Sequence, residues 1–326
     1  MDIQIEEGIE LAPLTTMLVG GTTRFFVRIT DVSQISEAIS FARAKQIPWL
    51  VLGGGSNMLI PDAGFSGLVI KMECKGISFG SDEGSRVRMT VGAGETWDDV
   101  VRSAVHHKLW GLENLSLVPG TLGGAMVQNI GAYGVEVCDS VFSVEAYDTQ
   151  TMKTKIFLRN ECMFGYRTSI FKINKNLIVV RAVFELGRKE KAQIDYEDVK
   201  KYFLTQKNNA PSLEDIRSAI IAIRTLKMPT FPLGTAGSFF KNPVVTASEF
   251  ERLKTAYPEI KAYIQGDGAV KLSAAWLLDK VCGFRGMRRG NAGVHEKQSL
   301  ILVNYGGASA QEILDLAQEM KDSVFQ

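Results

Sequence analysis

The sequence lacks the common signatures of nucleotide-binding enzymes. Its 326 residues contain no Gly-Lys-Ser or Gly-Lys-Thr, which excludes a Walker loop. No Gly-x-Gly-x-x-Gly opens a helix with an acidic residue about twenty positions further on, which excludes the Rossmann fingerprint. A nucleotide site in this chain therefore requires a different fold.

Residues that commonly bind metals or carry redox chemistry are also scarce. The chain has four cysteines: Cys74, Cys138, Cys162 and Cys282. They form no Cys-x-x-Cys pair, which argues against zinc and predicts buried, reduced thiols in a cytosolic protein. Of the three histidines, His106 and His107 end a predicted amphipathic helix and are interpreted as structural, and His295 receives no catalytic role. We predict no metal site.

The chain also lacks an excess of charge and a long apolar run. Its 37 basic and 36 acidic residues leave a net charge of +1, which argues against nucleic acid or a membrane surface as a partner. No segment approaches the roughly 18 apolar residues of a membrane span, and the N-terminus has no basic region before an apolar core. We expect a cytoplasmic protein, with a monomer as the default state.

The chain has instead two clusters of glycine. Gly53-Gly-Gly-Ser-Asn57 follows an apolar run that is typical of a buried strand, and Pro119-Gly-Thr-Leu-Gly-Gly124 opens a long segment of small residues with hardly any charge. Without a Cβ, the backbone can bring its N–H groups close to a ligand, and diphosphates are bound in this way. The alternative is that both clusters are ordinary tight turns.

Hydrophobic patterning predicts an α+β protein. Phe25–Ile29, Trp49–Leu52 and Gly67–Ile70 read as strands around a helix with Ile35, Ala38, Ile39 and Ala42 on one face. Further strands flank a helix from Thr96 to His107, and the capping box Ser212–Asp215 opens another helix. Helices at 248–256 and 273–280, a strand at 299–304 and a helix from Ser309 describe a compact C-terminal α/β domain.

Five motifs resemble, in order and spacing, those of the UDP-N-acetylenolpyruvoylglucosamine reductases, which are flavoenzymes of peptidoglycan precursor synthesis. The similarity runs from about Leu14 to the last residue, and its motifs are Leu52–Asn57, Val118–Gly124, Gln128–Gly134, Phe164–Ser169 and Ala236–Pro243. The resemblance implies a two-part FAD-binding domain of the vanillyl-alcohol-oxidase type and a third, substrate-binding α/β domain. The corresponding boundaries are 1–70, 71–225 and 226–326.

The resemblance also implies the cofactor and the reactants. FAD would be bound without a covalent link, NADPH would be the electron donor, and UDP-N-acetylglucosamine enolpyruvate would be reduced to UDP-N-acetylmuramate. The residues expected to bind FAD are Gly53, Gly54, Gly55, Ser56, Asn57, Pro119, Gly120, Gly123, Gly124, Asn129, Gly131 and Tyr133.

Two residues match the catalytic positions of the family. Hydride addition to the enolpyruvyl group pushes negative charge toward its carboxylate, so the reaction needs a fixed cation there and a proton donor near the α-carbon. Arg167 matches the family's arginine in the first role, and its planar fork suits a carboxylate. Ser238 matches the serine that donates the proton.

Four further residues match family positions that contact the nucleotide sugar. They are Tyr166, Tyr196, Lys227 and Asn242. Tyr196 resembles the tyrosine on a loop that closes over the substrate in one family subtype, and we expect this chain to belong to that subtype.

The chain departs from the family pattern at its end. The resemblance leads us to expect a final strand with a catalytic glutamate, but the sequence stops at Gln326, and neither Glu319 nor Asp322 is a convincing substitute. Either a tail is missing from the sequence, or the protein binds FAD and the nucleotide sugar but reduces it poorly. A flavin oxidase with the same type of FAD domain is the other alternative.

Overall fold

A computed structural model describes residues 3–80, 84–189, 192–208 and 210–326. Its contacts divide the chain into two compact units. The first comprises Met1–Ile9, Thr22–Gly54 and Phe65–Leu226, and the second comprises Glu10–Gly21, Gly55–Gly64 and Lys227–Gln326. The division into three domains at residues 70 and 225 stays a prediction.

The first unit is built from strands and helices between residues 5 and 226, apart from residues 10–21 and 55–64. The strands are β1 (Ile5–Glu10), β2 (Thr22–Ile29), β3 (Trp49–Leu52), β4 (Phe65–Met72), β5 (Ile77–Phe79), β6 (Arg86–Gly92), β7 (Gly131–Ala132), β8 (Val135–Glu136), β9 (Val141–Asp148), β10 (Lys153–Leu158) and β11 (Leu177–Gly187). The helices are α1 (Gln34–Ala44), α2 (Trp97–His106), α3 (Leu122–Gln128), α4 (Ile170–Ile173), α5 (Glu197–Gln206) and α6 (Leu213–Lys227).

The first sheet has the strand order β1-β2-β4-β3, and β4 pairs in parallel with both β2 and β3. The helix predicted around Ile35–Ala42 is confirmed as α1, and its four apolar residues are fully buried against this sheet. Leu52, the last residue of β3, pairs with Lys71 of β4. The first glycine cluster therefore begins at the carboxyl end of β3, where ligand loops of parallel sheets usually lie.

The second sheet is antiparallel, in the order β10-β9-β11-β6-β5. The predicted apolar face of α2 is confirmed, since Trp97, Val100, Val101, Ala104 and Val105 are buried in the core beneath this sheet. The Trp97 indole N–H donates to the carbonyl of Leu115 at 2.9 Å. This bond satisfies the one polar atom of the buried ring and fixes the chain just before the second glycine cluster.

Helix α3 was not predicted, because the glycines of Leu122–Gln128 disfavour a helix by about 1 kcal/mol each. Tertiary packing overrides this preference: Leu122, Ala125 and Met126 are buried in the core. Backbone bonds also fix the start of α3, because Leu122 N–H donates to the Glu95 carbonyl and Gly123 N–H to the Ala93 carbonyl, both at 2.9 Å.

An ion pair joins α2 to α6. Arg217 donates to both carboxylate oxygens of Asp98 at 2.8 Å, and the backbone N–H of Leu117 donates to the same carboxylate. Burial alone would raise the pKa of Asp98, but the bonds from Arg217 and Leu117 outweigh burial and lower that pKa. This carboxylate therefore holds two helices and the start of the second glycine cluster together.

The second unit contains β12 (Val244–Val245), β13 (Ala262–Ile264), β14 (Val270–Leu272), β15 (Arg288–Arg289), β16 (Ala292–His295) and β17 (Gln298–Asn304), and the helices α7 (Ala247–Ala256), α8 (Ala274–Trp276) and α9 (Ala310–Phe325). Helix α9 begins as predicted after Ser309, which forms a capping box with Glu312. The predicted helix 273–280 is wrong as a regular α-helix. It changes to a π-helical turn at Leu277–Val281, because Cys282 N–H donates to the Leu277 carbonyl at 3.0 Å.

We predict that Arg217→Met lowers the free energy of unfolding at pH 7. The loss should exceed the ~1 kcal/mol that an exposed ion pair contributes. It should not exceed the ~3–5 kcal/mol that is lost when a fully buried pair is broken. The side chains of Arg217 and Asp98 are 12% and 24% exposed. Because the folded pKa of Asp98 is lowered, its contribution is present above its unfolded pKa of about 3.9 and is lost as the pH falls through the folded value. Urea denaturation at pH 7 and at successively lower pH values measures both effects.

Arg102→Met is the control for this prediction, because Arg102 pairs with Asp99 on the same helix but is 68% exposed. An equal loss of stability in the two variants, or a loss in Arg217→Met that does not depend on pH, would contradict this account of Asp98.

Candidate functional site

Gly53 and Gly54 of the first glycine cluster lie against Gly120 and Thr121 of the second cluster within the first unit. A Cβ on Gly54 would lie 2.7 Å from the Cα of Gly120, and a Cβ on Gly53 would lie 2.6 Å from the hydroxyl oxygen of Thr121. Both distances are shorter than any normal contact of a Cβ atom. At Gly54 the neighbour is backbone, so that position accepts only glycine unless the backbone moves; at Gly53 the neighbour is a side-chain hydroxyl. The sequence predicted the two loops separately, and the structure places their backbones in contact.

Unpaired polar groups line this contact. The hydroxyl of Thr121 is buried and has no hydrogen-bond partner among the described residues. The backbone N–H of Gly54 also has no acceptor among the described residues. Gly124 is exposed, with no atom within 4 Å of the place of a Cβ. Backbone and hydroxyl donors beside an open space fit a diphosphate, as in FAD.

Two other glycines of the predicted cofactor set pack closely against neighbouring residues. Gly55 has a φ of +63°, and a Cβ there would lie 2.2 Å from the carbonyl oxygen of Leu14 within the second unit. A Cβ on Gly123 would lie 3.3 Å from the Cβ of Ala93. Ser56 is half-buried, and Asn57 and Pro119 are exposed. Their roles toward a cofactor stay predictions.

Arg167 lies at the tip of a tight turn in the first unit. Gly165 and Thr168 exchange backbone hydrogen bonds of 3.1 Å across the turn, and Arg167 has a φ of +56°. Its guanidinium donates to the carbonyls of Gly131, at 2.6 Å, and Asn129, at 3.3 Å. No acidic side chain lies within 4 Å of it among the residues described. Arg167 is thus a fixed, half-buried cation that forms no ion pair with the described residues.

Asn129 holds one of the carbonyls that accept from Arg167. It is fully buried in a left-handed conformation with a φ of +43°. Its side-chain amide donates to Glu136 at 2.9 Å and to the Gly165 carbonyl at 3.0 Å, and its oxygen accepts from Cys138 N–H at 3.2 Å. Asn129 therefore links α3 to the turn of Arg167, while its predicted contact with a cofactor stays untested.

Tyr133 and Tyr196 lie edge to face, with ring centroids 5.4 Å apart. Burial raises the pKa of the Tyr133 phenol, and a hydrogen bond from Arg224 opposes this shift. The side-chain amide of Asn114 donates to the carbonyls of Tyr133, at 3.0 Å, and Gln193, at 2.8 Å. Asn114 thus ties the segment before Tyr196 to the turn of Tyr133, and Tyr196 keeps 46% of its surface exposed. Tyr166 is similarly exposed, at 41%.

The second unit contains the remaining predicted site residues. Ser238 is exposed and follows Gly237, which has a φ of +75°. Next to Ser238, Phe239 N–H donates to the Leu300 carbonyl at 2.8 Å, so the segment is bonded to β17. The side-chain oxygen of Asn242 accepts from the N–H of Ala274 at 3.0 Å and fixes the start of α8. Lys227, at the end of α6, is half-buried.

Two residues at the glycine contact were missed from the sequence. Thr121 lies inside the second motif but was not selected, although a hydroxyl between two glycines was a usable signal. Lys71 donates a hydrogen bond to the carbonyl of Gly53. Only the parallel pairing of β3 and β4 reveals this contact, because the two residues are 18 positions apart.

The described ranges contain all four cysteines. The four thiols are unpaired, three of them are buried, and burial raises the pKa of Cys74 to about 11 and of Cys162 to about 12. Across those ranges, no group of three or more His, Cys, Asp or Glu residues could hold a metal ion. None of the helices found there has the length and apolar character needed to cross a bilayer.

Comparison with known proteins defines the class. Residues 23–151 match the family model of an FAD binding domain, and residues 229–326 match that of the UDP-N-acetylenolpyruvoylglucosamine reductase C-terminal domain. The chain is thus a flavoprotein with an N-terminal FAD-binding domain and a distinct C-terminal domain. The α+β fold class predicted from the sequence is confirmed.

Whole-chain relatives identify the family. The UDP-N-acetylenolpyruvoylglucosamine reductases of Pseudomonas fluorescens (strain Pf0-1) and Pseudomonas aeruginosa are each 40% identical over 99% of this chain and 96% of their own length. The crystal structure of the Thermus caldophilus reductase superposes with a TM-score of 0.68 at 25% identity, over 98% of this chain and 95% of that one. This chain belongs to the UDP-N-acetylenolpyruvoylglucosamine reductase family, as its motifs predicted.

Proposed function

We propose that this protein reduces UDP-N-acetylglucosamine enolpyruvate to UDP-N-acetylmuramate with electrons from NADPH, using FAD. The observation that supports this most directly is the contact of Gly54 with Gly120, a cradle of bare backbone in a chain that belongs to the reductase family. When bound, FAD would accept hydride from NADPH and supply it to the enolpyruvyl double bond.

The chain's own residues would hold FAD without a covalent bond. The backbone N–H groups of Gly54 and Gly124 have no acceptor among the described residues and are proposed to donate to the diphosphate, with the Thr121 hydroxyl beside them. The N–H groups of Leu122 and Gly123 already donate to the Glu95 and Ala93 carbonyls. Neither glycine loop contains a histidine or cysteine that could form a flavin linkage. We propose that three residues near the Arg167 turn contact the flavin part of FAD: Asn129, Gly131 and Tyr133.

Arg167 is proposed to stabilise the charge that develops on the substrate carboxylate. Guanidinium groups carry five N–H donors, and two of these bind the carbonyls of Asn129 and Gly131. The remaining donors have no protein acceptor in the residues that the structure describes. Because two backbone carbonyls already fix the guanidinium, it need not reorganise when negative charge develops on the substrate carboxylate. Such preorganisation is the condition for electrostatic catalysis.

Ser238 is proposed to donate the proton to the α-carbon. Its hydroxyl is exposed and makes no hydrogen bond to another described residue. A hydroxyl is a weak acid, so this role requires a strongly basic carbon, which hydride addition to the conjugated double bond provides.

The remaining substrate contacts are also proposals. Tyr166 and Tyr196 keep 41% and 46% of their surface exposed, and an aromatic ring with a phenol group suits a nucleotide sugar. Tyr196 would place the protein in the subtype with a closing tyrosine loop. Lys227 and Asn242 would contact the same substrate. We further propose a cytoplasmic location, because NADPH and nucleotide sugars are cytoplasmic metabolites, and we keep a monomer as the default state.

We predict that Arg167→Ala slows reoxidation of the reduced protein by the enolpyruvyl sugar by a factor on the order of 10² to 10³, because one electrostatic donor of the transition state is lost. Reduction by NADPH should slow much less, because no negative charge develops on a substrate carboxylate in that half-reaction. Stopped-flow absorbance measures the two half-reactions separately. Arg159→Ala, which removes an exposed arginine 3.7 Å from Asp139, is the control. Equal slowing of both half-reactions would make Arg167 structural.

We predict that Ser238→Ala leaves reduction by NADPH near the parent rate and strongly slows reoxidation by the enolpyruvyl sugar, because only that half-reaction protonates carbon. Ser238→Cys should keep more of the rate, since a thiol is the stronger acid at nearly the same size. The same stopped-flow traces decide the point. Reoxidation of Ser238→Ala at the parent rate would assign the proton to another group.

A further inference from the structure

Lys71 occupies an unusual position beneath the first glycine cluster. Its parallel pairing with Leu52 places it beside the end of β3, and its ammonium donates a hydrogen bond to the carbonyl of the next residue, Gly53. That bond is the ammonium's one hydrogen bond to any residue in the described ranges. A side chain of the sheet thereby holds the first peptide of the glycine loop.

The geometry of the peptide gives this bond a consequence on the opposite side. In a trans peptide the C=O and the following N–H point in opposite directions. Holding the Gly53 carbonyl toward Lys71 therefore directs the Gly54 N–H away from Lys71. That N–H meets no acceptor in the described ranges, and Gly54 packs against Gly120 at the cradle. The lysine thus fixes the direction of a donor proposed to bind the diphosphate.

The charge around Lys71 is unbalanced. Glu73, which directly follows β4 and whose charge acts on Lys71, is already paired with Arg28 of β2 at 2.9 Å. Burial lowers the pKa of the Lys71 ammonium, the charge of Glu73 opposes this, and that of Arg28 adds to it. A half-buried ammonium with one neutral acceptor is costly, and a nearby anion would reduce that cost. Neither glycine loop contains a lysine or arginine of its own.

From this juxtaposition we infer that Lys71 is a positioning residue for the FAD diphosphate, acting through the Gly53 carbonyl and through its uncompensated charge. The inference rests on the proposed function only in taking FAD as the ligand. It assigns a role in cofactor affinity to a residue that lies outside both glycine motifs.

The test is FAD binding to the apo protein, measured by quenching of flavin fluorescence. Lys71→Met should weaken FAD binding on the order of tenfold to a hundredfold, the range expected for one lost hydrogen bond to a charged group. ADP, which carries the diphosphate without the flavin, should lose a similar factor as a competitor, whereas riboflavin, which has no diphosphate, should be unaffected. Lys71→Arg should stay within about threefold of the parent, because it keeps the charge and the donor.

Two controls separate positioning from folding. Lys75→Met removes the same charge from an exposed residue four positions away and should bind FAD like the parent. The melting temperature of apo Lys71→Met should be unchanged or higher, because a half-buried ammonium is removed; a purely structural lysine would lower it.

The inference is overturned if Lys71→Met binds FAD as tightly as the parent, if riboflavin is weakened as much as FAD, or if Lys75→Met loses the same factor. Failure of the parent protein to bind FAD would instead contradict the proposed function, so the two failures are distinguishable.

Discussion

The structure of the candidate site depends on one contact between two stretches of backbone, Gly54 against Gly120. A Cβ on Gly54 would lie 2.7 Å from the Cα of Gly120. The atom that it meets belongs to the backbone, so no flexible side chain could move aside. Both loops must therefore be held from outside. The backbone N–H of Trp97 donates to the Gly120 carbonyl at 3.0 Å. Trp97 is the first residue of α2, whose apolar face lies in the core. On the other side, the end of β3 is fixed by its pairing with β4 and by Lys71.

The same principle explains the cation of the site. Arg167 depends on backbone carbonyls rather than on an acidic partner, and Asn129 and the turn at Gly165 set the positions of those carbonyls. A carboxylate partner would have fixed the guanidinium as well, but it would have neutralised the charge that the substrate carboxylate requires. Left-handed residues occur at both places, Asn129 and Arg167, and the backbone strain they carry is typical of functional sites.

Local sequence was sufficient to predict much of this arrangement. The glycine clusters, α1, α2, the capping box of α6 and the start of α9 after Ser309 are each contained in a short segment, so pattern and spacing predicted them. The motif of Arg167 was found by its resemblance to the family. The sequence did not predict α3, because tertiary packing of Leu122, Ala125 and Met126 overrides the low helix propensity of its glycines. Lys71 and Thr121 were missed because their importance comes from pairing with residues distant in the chain, which no local pattern records.

The central claim, that bare backbone at the Gly54–Gly120 contact forms the cradle for FAD, is tested most directly by the FAD affinity of Gly54→Ala. The added methyl would have to separate two backbones, so we expect FAD to bind at least tenfold more weakly than to the parent apo protein. Gly266→Ala is the matched control, because a Cβ there meets no atom within 4 Å. Parent-like affinity in Gly266→Ala with a large loss in Gly54→Ala is the predicted result. Equal affinity in all three proteins would contradict the account.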